Sequence, residues 1–380
     1  MQQILIRGIA FLSQTMKDIN CKKLFLVVDS SFPFLNIKKD IETLGIEKVL
    51  FSDFTPNPQY EQVCKGIDLL KAERCDSILA VGGGSAIDVA KCIKLAVLTK
   101  EGNSALIPPL VNTRVECDGS KIPLIAIPTT AGTGSESTHN AVMYYEGNKQ
   151  TVTNDGVLPD YAILEPSVLK TLPLYQKKCT MLDALCQGIE SWWSVNSTEE
   201  SYDYSRKAIE FIMANWRKYI FENDDDAATK IMLGANYGGR AINITATTAA
   251  HAMSYKITSL YKFPHGHAVA VCLPEIWEYM ISHMDKCLDK RGQNYLNGIF
   301  NNIAHTMGAE TPTEAIDLFR GMMKDMELFN PTPEPNRRSS DLDLLSSSVN
   351  PVRLKNNPIG LDNATIRILY ETIVKPSDKL

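Results

Sequence analysis

Short apolar, β-branched runs alternate with helix-period segments through the first part of the chain. MQQILIRGIAFLSQTMKD, at the start, reads as a strand followed by a helix rather than as a signal peptide. KLFLVVDS is an apolar run closed by Asp29, as expected of a strand buried on both faces. KVLFSDF is a second candidate strand, and YEQVCKGIDLLKAER after it is an amphipathic helix. SILAVGGGS is another strand and runs into the helical AIDVAKCIKLAVL; IPLIAIPTT closes the series ahead of a Gly/Thr turn. Strand and helix in alternation predict a mostly parallel sheet with helices on its faces.

The pattern changes near Pro166. LYQKKCTMLDALCQGIESWWSV, EESYDYSRKAIEFIMANWRKYI and AATKIMLGANYGGRAI all have apolar residues at helical spacing, and no strand interrupts them. The remainder is helical apart from the Pro-rich loop NPTPEPNRRSS. The expected organisation is an α/β, Rossmann-like domain over 1–165 and an all-helical domain over 166–380. Ligands of open α/β sheets bind at the carboxyl ends of the strands, so the cleft between the two domains is the expected active site.

Composition narrows the function. A net charge of -5, without Lys/Arg-rich runs, gives no field for nucleic acid. No apolar run reaches the length that spans a bilayer. The nine cysteines include no C-x-x-C pair, which fits reduced thiols in the cytoplasm better than a disulfide framework.

Two glycine loops follow strands. In VGGGSAIDVAK, Gly82, Gly83 and Gly84 permit a tight turn and close approach of a ligand to the backbone, and Ser85 can cap a helix whose N-terminus favours an anion. PTTAGTGSE repeats the logic with Gly132 and Gly134. Neither is G-x-G-x-x-G, and there is no G-x-x-x-x-G-K-[ST] loop of an NTPase. Asp29 is placed to accept hydrogen bonds from a ribose diol, or is an ordinary loop aspartate.

A third feature is HAMSYKITSLYKFPHGH, which holds three of the six histidines of the chain. Upstream, Asp183 and Gln187 lie four apart on one helical face. A carboxylate and two imidazoles, with an amide oxygen beside them, suffice for a divalent transition metal with open positions. Singly, each histidine also fits a satisfied buried residue.

GGGSAIDVAK, PTTAGTGSE, the Pro264–Gly266 tripeptide PHG and a histidine fourteen residues before it resemble the iron-dependent (group III) alcohol dehydrogenase family. The resemblance implies NAD(P)-linked interconversion of a small alcohol and an aldehyde or ketone, and a homo-oligomer. It implies that Gly83, Gly84 and Ser85 bind the pyrophosphate, with Asp88 among the cofactor residues. Thr129, Thr130 and Lys149 would line the nucleotide, and Asp29 would favour NAD(H) over NADP(H). Asp183, His251 and His265 would hold Fe2+ or Zn2+. The family usually has histidine where this chain has Gln187, and again where it has Tyr255; His267 stands where many members are apolar. Tyr255 and His267 are therefore the expected proton-relay candidates.

DALCQGIES, AAHAMSYK and SVNPVRLKNNP resemble a smaller branch associated with phosphonate metabolism, which implies reduction of phosphonoacetaldehyde to 2-hydroxyethylphosphonate. Arg240, Arg353 and Lys355 are the candidate phosphonate cations. The alternatives are a general small-alcohol dehydrogenase, a dehydroquinate-synthase-like lyase with no net NADH change, and a non-catalytic nucleotide binder.

Overall fold

The computed structural model describes residues 3–375 except Arg114 and Ser120. Met1 and Gln2, at the start of the expected first strand, and the C-terminal 376–380 lie outside the described residues. The chain forms two compact units: Met1–Pro173 with Asn223–Met232, and Leu174–Glu222 with Leu233–Leu380.

In the first unit, β1 (Ile4–Arg7) leads to α1 (Leu12–Asp18), β2 (Lys23–Val28), α2 (Lys38–Glu42) and β3 (Glu47–Phe51). Then come α3 (Tyr60–Glu73), β4 (Ser77–Gly82), α4 (Gly84–Leu98) and β5 (Leu124–Pro128). β6 (Asn140–Tyr145), β7 (Asn148–Thr153) and β8 (Tyr161–Leu164) complete it. Six strands form one parallel sheet in the order β1-β8-β5-β4-β2-β3. β4 and β5 are buried along their whole length, which is why they read as unbroken apolar runs. Winding from β2 goes one way to β3 and the other way to β4, so the ends of β2 and β4 flank the topological switch point. β8 and the antiparallel β6–β7 hairpin are additional to the strands expected from the sequence.

The second unit is helical. α5 (Leu174–Trp193) and α6 (Glu199–Arg217) precede α7 (Asp225–Thr245), which starts among the residues of the first unit. α8 (Ala249–Tyr261), α9 (His265–Ser282), α10 (Gln293–Met307) and α11 (Pro312–Asp325) follow, then α12 (Arg338–Ser347), α13 (Pro351–Leu354) and α14 (Asn363–Ile373). From Met181 to Trp193 every residue of α5 is buried, as expected of a helix surrounded by others. Trp193 anchors this core, with its ring 5.5 Å from that of Trp277 and 6.0 Å from that of Phe300. α8 ends at Lys262, in the left-handed region at φ 60°, and Pro264 caps the start of α9. This short break between helices places His251 and His265 on separate elements. No helix among the described residues is long and apolar enough to cross a membrane, and all nine cysteines are free.

Candidate metal and nucleotide sites

α5 carries Asp183, Gln187 and Glu190 on one stripe, at the i, i+4 and i+7 positions. His251 comes from the first turn of α8, and His265 is the first residue of α9. The ligand atoms of Asp183, His251 and His265 all lie within 4.8 Å of one another. Asp183 Oδ1 is 3.3 Å from His251 Nε2 and 3.9 Å from His265 Nε2. Gln187 Nε2 donates to Asp183 Oδ2 at 3.4 Å. Two glycines allow this packing. A Cβ on Gly238 would sit 3.1 Å from the Ala184 carbonyl oxygen, one turn before Gln187, and one on Gly266 would sit 2.0 Å from the Cys179 carbonyl oxygen.

The residues fit a transition metal. His251 Nε2 is buried and has no hydrogen-bond partner among the described residues, although it points into the carboxylate–imidazole cluster. Two imidazole nitrogens, a carboxylate and an amide oxygen form a borderline donor set suited to Fe2+ or Zn2+. The local field favours a cation: burial alone would push His251 down, but the Glu190 and Asp183 carboxylates outweigh it and raise the imidazole to about 10.

Glu190 was not among the residues singled out from the sequence. It is fully buried, and Nδ1 of His251 is hydrogen-bonded to its Oε2. Burial raises its carboxyl, but the His251 imidazole and the bonds from α8 outweigh this and hold it below its ordinary value. The available signal was an acid seven residues after Asp183, on the same helical stripe as Asp183 and Gln187.

The Tyr255 ring stacks on the His265 imidazole at 5.7 Å with 6° between the planes. Arg353 Nη1 donates to Tyr255 Oη at 2.9 Å, with the guanidinium 5.0 Å from the ring centroid. The segment bearing Arg353 is held by Asn350, which caps α13, and by Asn356, which donates to the Thr247 carbonyl at 3.2 Å. Lys355 follows α13 and is exposed. Arg240 has other neighbours: it donates to Asn236 at 3.0 Å and lies over the Tyr204 ring.

His267 is also engaged elsewhere. Its Nε2–H donates to the Phe329 carbonyl at 3.0 Å, so Nδ1 accepts from Tyr175 Oη at 2.9 Å. Its ring stacks on Phe263 at 4.2 Å, and burial pushes it down to about 4. Both nitrogens of this neutral ring are occupied by protein, which is the environment of a structural histidine rather than a relay.

In the first unit, the two glycine loops lie side by side at the carboxyl ends of β4 and β5. Thr129 N donates to the Gly82 carbonyl at 3.0 Å. A Cβ on Gly83 would be 3.6 Å from Thr130 Cγ2, and one on Gly84 would be 3.0 Å from Thr133 Cγ2. Asp29 accepts from Gly83 N and Ser31 N, each at 2.9 Å, and a Cβ on Gly82 would meet its Oδ2 at 2.5 Å. The backbone N–H groups of the first turn of α4, at Gly84 and Ser85, lack intrahelical acceptors, as at any helix N-terminus. Asp88 lies one turn deeper; it accepts from Ser135 Oγ at 2.6 Å and from Val142 N at 3.0 Å, and so braces the second loop against α4. Lys149, half-buried on β7, faces Tyr144 across the hairpin.

Comparisons with known proteins identify the family and the fold. The model of the iron-containing alcohol dehydrogenases matches residues 6–166, and that of the C-terminal part of the Fe-containing alcohol dehydrogenase family matches residues 178–374. The chain is 30% identical to a phosphonoacetaldehyde reductase of Streptomyces viridochromogenes over 80% of its own length and 77% of the relative. It is 29% identical to long-chain-alcohol dehydrogenase 1 of Geobacillus thermodenitrificans, over 87% and 85% of the two chains. The fold matches that of a sulfoacetaldehyde reductase from Bifidobacterium kashiwanohense, solved in complex with NAD+, with a TM-score of 0.87, 21% identity and coverage of 98% and 97%. With family matches on both halves and a shared fold, the chain belongs to the iron-containing alcohol dehydrogenase family of oxidoreductases.

Proposed function

We propose that this oxidoreductase reduces a small aldehyde with an anionic phosphonate tail, phosphonoacetaldehyde, to the corresponding alcohol, using NADH in preference to NADPH. The observation that carries the reading is the Arg353 guanidinium held on Tyr255, one ring layer from His265. An aldehyde oxygen at the metal ligands would leave a short anionic tail within reach of a fork-shaped donor that suits phosphonate oxygens. Lys355, exposed just beyond α13, is a second cation two residues from Arg353. The similarity to a phosphonoacetaldehyde reductase supports the same substrate class.

Asp183, Gln187, His251 and His265 would hold Fe2+ or Zn2+, which when bound acts as a Lewis acid on a carbonyl oxygen. Gly83, Gly84 and Ser85 would take the pyrophosphate of the dinucleotide, whose nicotinamide supplies the hydride. Thr129, Thr130 and Lys149 would line the nucleotide. Asp29 would accept from the adenosine ribose, and its charge disfavours a 2′-phosphate. Tyr255 holds a proton on Oη; the donor bond from Arg353 stabilises the phenolate left when that proton passes to the product oxygen. Reduction consumes one proton per hydride, and solvent restores it to Tyr255. His267 keeps α9 attached to Tyr175 and Phe329. The nine free cysteines suit a reducing compartment such as the cytoplasm.

Initial rates of NADH and NADPH oxidation with phosphonoacetaldehyde, acetaldehyde and propanal test this. Phosphonoacetaldehyde is expected to be preferred, and Arg353→Ala to raise its KM roughly ten- to a hundredfold, the equivalent of one or two charge-assisted hydrogen bonds, while leaving the KM of the uncharged aldehydes unchanged; kcat should fall for all three, because the bond to Tyr255 is lost as well. Fast turnover of simple alcohols without turnover of phosphonoacetaldehyde would replace this reading with a general alcohol dehydrogenase.

A further inference from the structure

We propose that Glu190 is a positioning residue that fixes the tautomer of His251, so that Nε2 carries the lone pair offered to the metal. This rests on the metal reading above and goes further, because it names what makes one imidazole competent to ligate.

Four donors surround one oxygen of the Glu190 carboxylate. Oε1 accepts from Thr248 N at 3.0 Å, Thr248 Oγ1 at 2.7 Å, Ala250 N at 3.1 Å and His251 N at 3.3 Å. These groups belong to the start of α8, where backbone donors have no intrahelical acceptors, so they hold Oε1 in place. Oε2 is thereby fixed against His251 Nδ1. An ionised carboxylate can only accept, so Nδ1 must carry a hydrogen. In a neutral imidazole the lone pair then lies on Nε2, the buried atom 3.3 Å from Asp183 Oδ1 that has no hydrogen-bond partner among the described residues. A ring without this partner would divide between two tautomers, one of which cannot ligate through Nε2.

The same geometry makes Glu190→Gln a sharp perturbation. The variant has one oxygen and one NH2. Facing four donors on the Oε1 side, the oxygen goes there, and the NH2 is left against Nδ1. Nδ1 must then accept, the proton moves to Nε2, and the metal-facing lone pair is lost although the shape is almost unchanged. Thr248→Ala is the control, because it removes one bond to Oε1 but not the contact with the imidazole.

Zn2+ affinity is measured by competition with a chromophoric chelator for wild type, E190Q and T248A, with circular dichroism of the metal-free proteins as the fold check. E190Q is expected to bind about 10- to 100-fold more weakly, the usual effect of losing such a partner, while T248A loses stability but keeps wild-type affinity. Wild-type affinity in E190Q overturns the proposal, as does an equal loss in T248A, which would assign the effect to helix packing. If E190Q does not fold, the 15N shifts of His251 in zinc-loaded wild type decide: a proton on Nδ1 and ligation through Nε2 are expected, and the reverse overturns the proposal. A wild type that binds neither Zn2+ nor Fe2+ would instead refute the metal reading beneath it.

Discussion

Gly266 is the position where packing and site chemistry are most tightly joined. It is the second residue of α9, and a Cβ there would lie 2.0 Å from the Cys179 carbonyl oxygen, 2.8 Å from that carbonyl carbon and 2.9 Å from Asp183 Cβ. Carbon–oxygen contacts relax at roughly 3.3 to 3.6 Å, so Gly266→Ala requires α9 and α5 to separate by about 1 Å or more. No flexible side-chain tip can yield, since the two nearest atoms are backbone in α5. Overpacking of this kind costs typically 1–3 kcal/mol, and we expect the upper end or beyond. The same shift moves His265 relative to Asp183, now 3.9 Å apart between ligand atoms. Metal sites tolerate distance errors of about 0.2 Å, so metal affinity should fall at least tenfold. Urea denaturation of the metal-free protein and zinc competition measure the two effects separately. Gly298→Ala is the control: Gly298 lies within α10 with open space where a Cβ would go, and the change should stabilise by about 0.5–1 kcal/mol. A G266A protein with wild-type stability and metal affinity would refute the reasoning.

Other consequences can be measured separately. His267→Gln should cost about 1–3 kcal/mol of stability, because Tyr175 and the Phe329 carbonyl lose well-placed partners; kcat should be retained, and a folded variant with collapsed kcat would return His267 to the catalytic set. Burial pushes Lys91 down to about 8, from an ordinary 10.5, among Ser135, Thr138 and the Asn140 carbonyl. Its folded value lies below the unfolded one, so the unfolded chain binds more protons in that window and stability rises with pH across it. Relative to Lys91→Met, wild type should gain up to about 3 kcal/mol between those two pH values in chemical denaturation; parallel pH profiles would contradict this. Metal added at a hundred times its Kd should stabilise wild type by about 2.7 kcal/mol, and Asp183→Ala, which removes the carboxylate shared by both imidazoles, should abolish that increment.

The elements legible in the sequence are those whose burial is uniform. KLFLVV and SILAVG lie between neighbouring strands, so their apolar runs are continuous. YAIL, only four residues long, gave too short a pattern to separate from its surroundings. The β6–β7 hairpin was visible in principle: Glu146 at φ 49° and Gly147 at φ 74° form a two-residue turn of the kind that joins twisted strands. Asp183, His251 and His265 could be named as candidates because their residue types and the PHG break stand out locally and match the family's motifs, whereas their approach to within 4.8 Å of one another is a property of the fold. The helical spacing of Glu190 from Asp183 was legible, but its role was not, since an acid on a helix ordinarily faces water and its partners lie 58 to 61 residues away. His267 is a relay candidate by sequence because it replaces an apolar residue of the family close to His265, but two positions along a helix turn a side chain to another face. Its partners, 92 and 62 residues distant, leave no local trace.

The most direct test of the central claim is the rate of NADH oxidation with phosphonoacetaldehyde in protein purified without added metal, then stripped by chelator, then reloaded with Fe2+ or Zn2+. The metal site and the Arg353–Tyr255 pair together predict turnover that disappears on stripping and returns on reloading. Undiminished turnover in metal-free protein would contradict the assignment of Asp183, Gln187, His251 and His265, and no NADH consumption in the reloaded protein would contradict the proposed substrate.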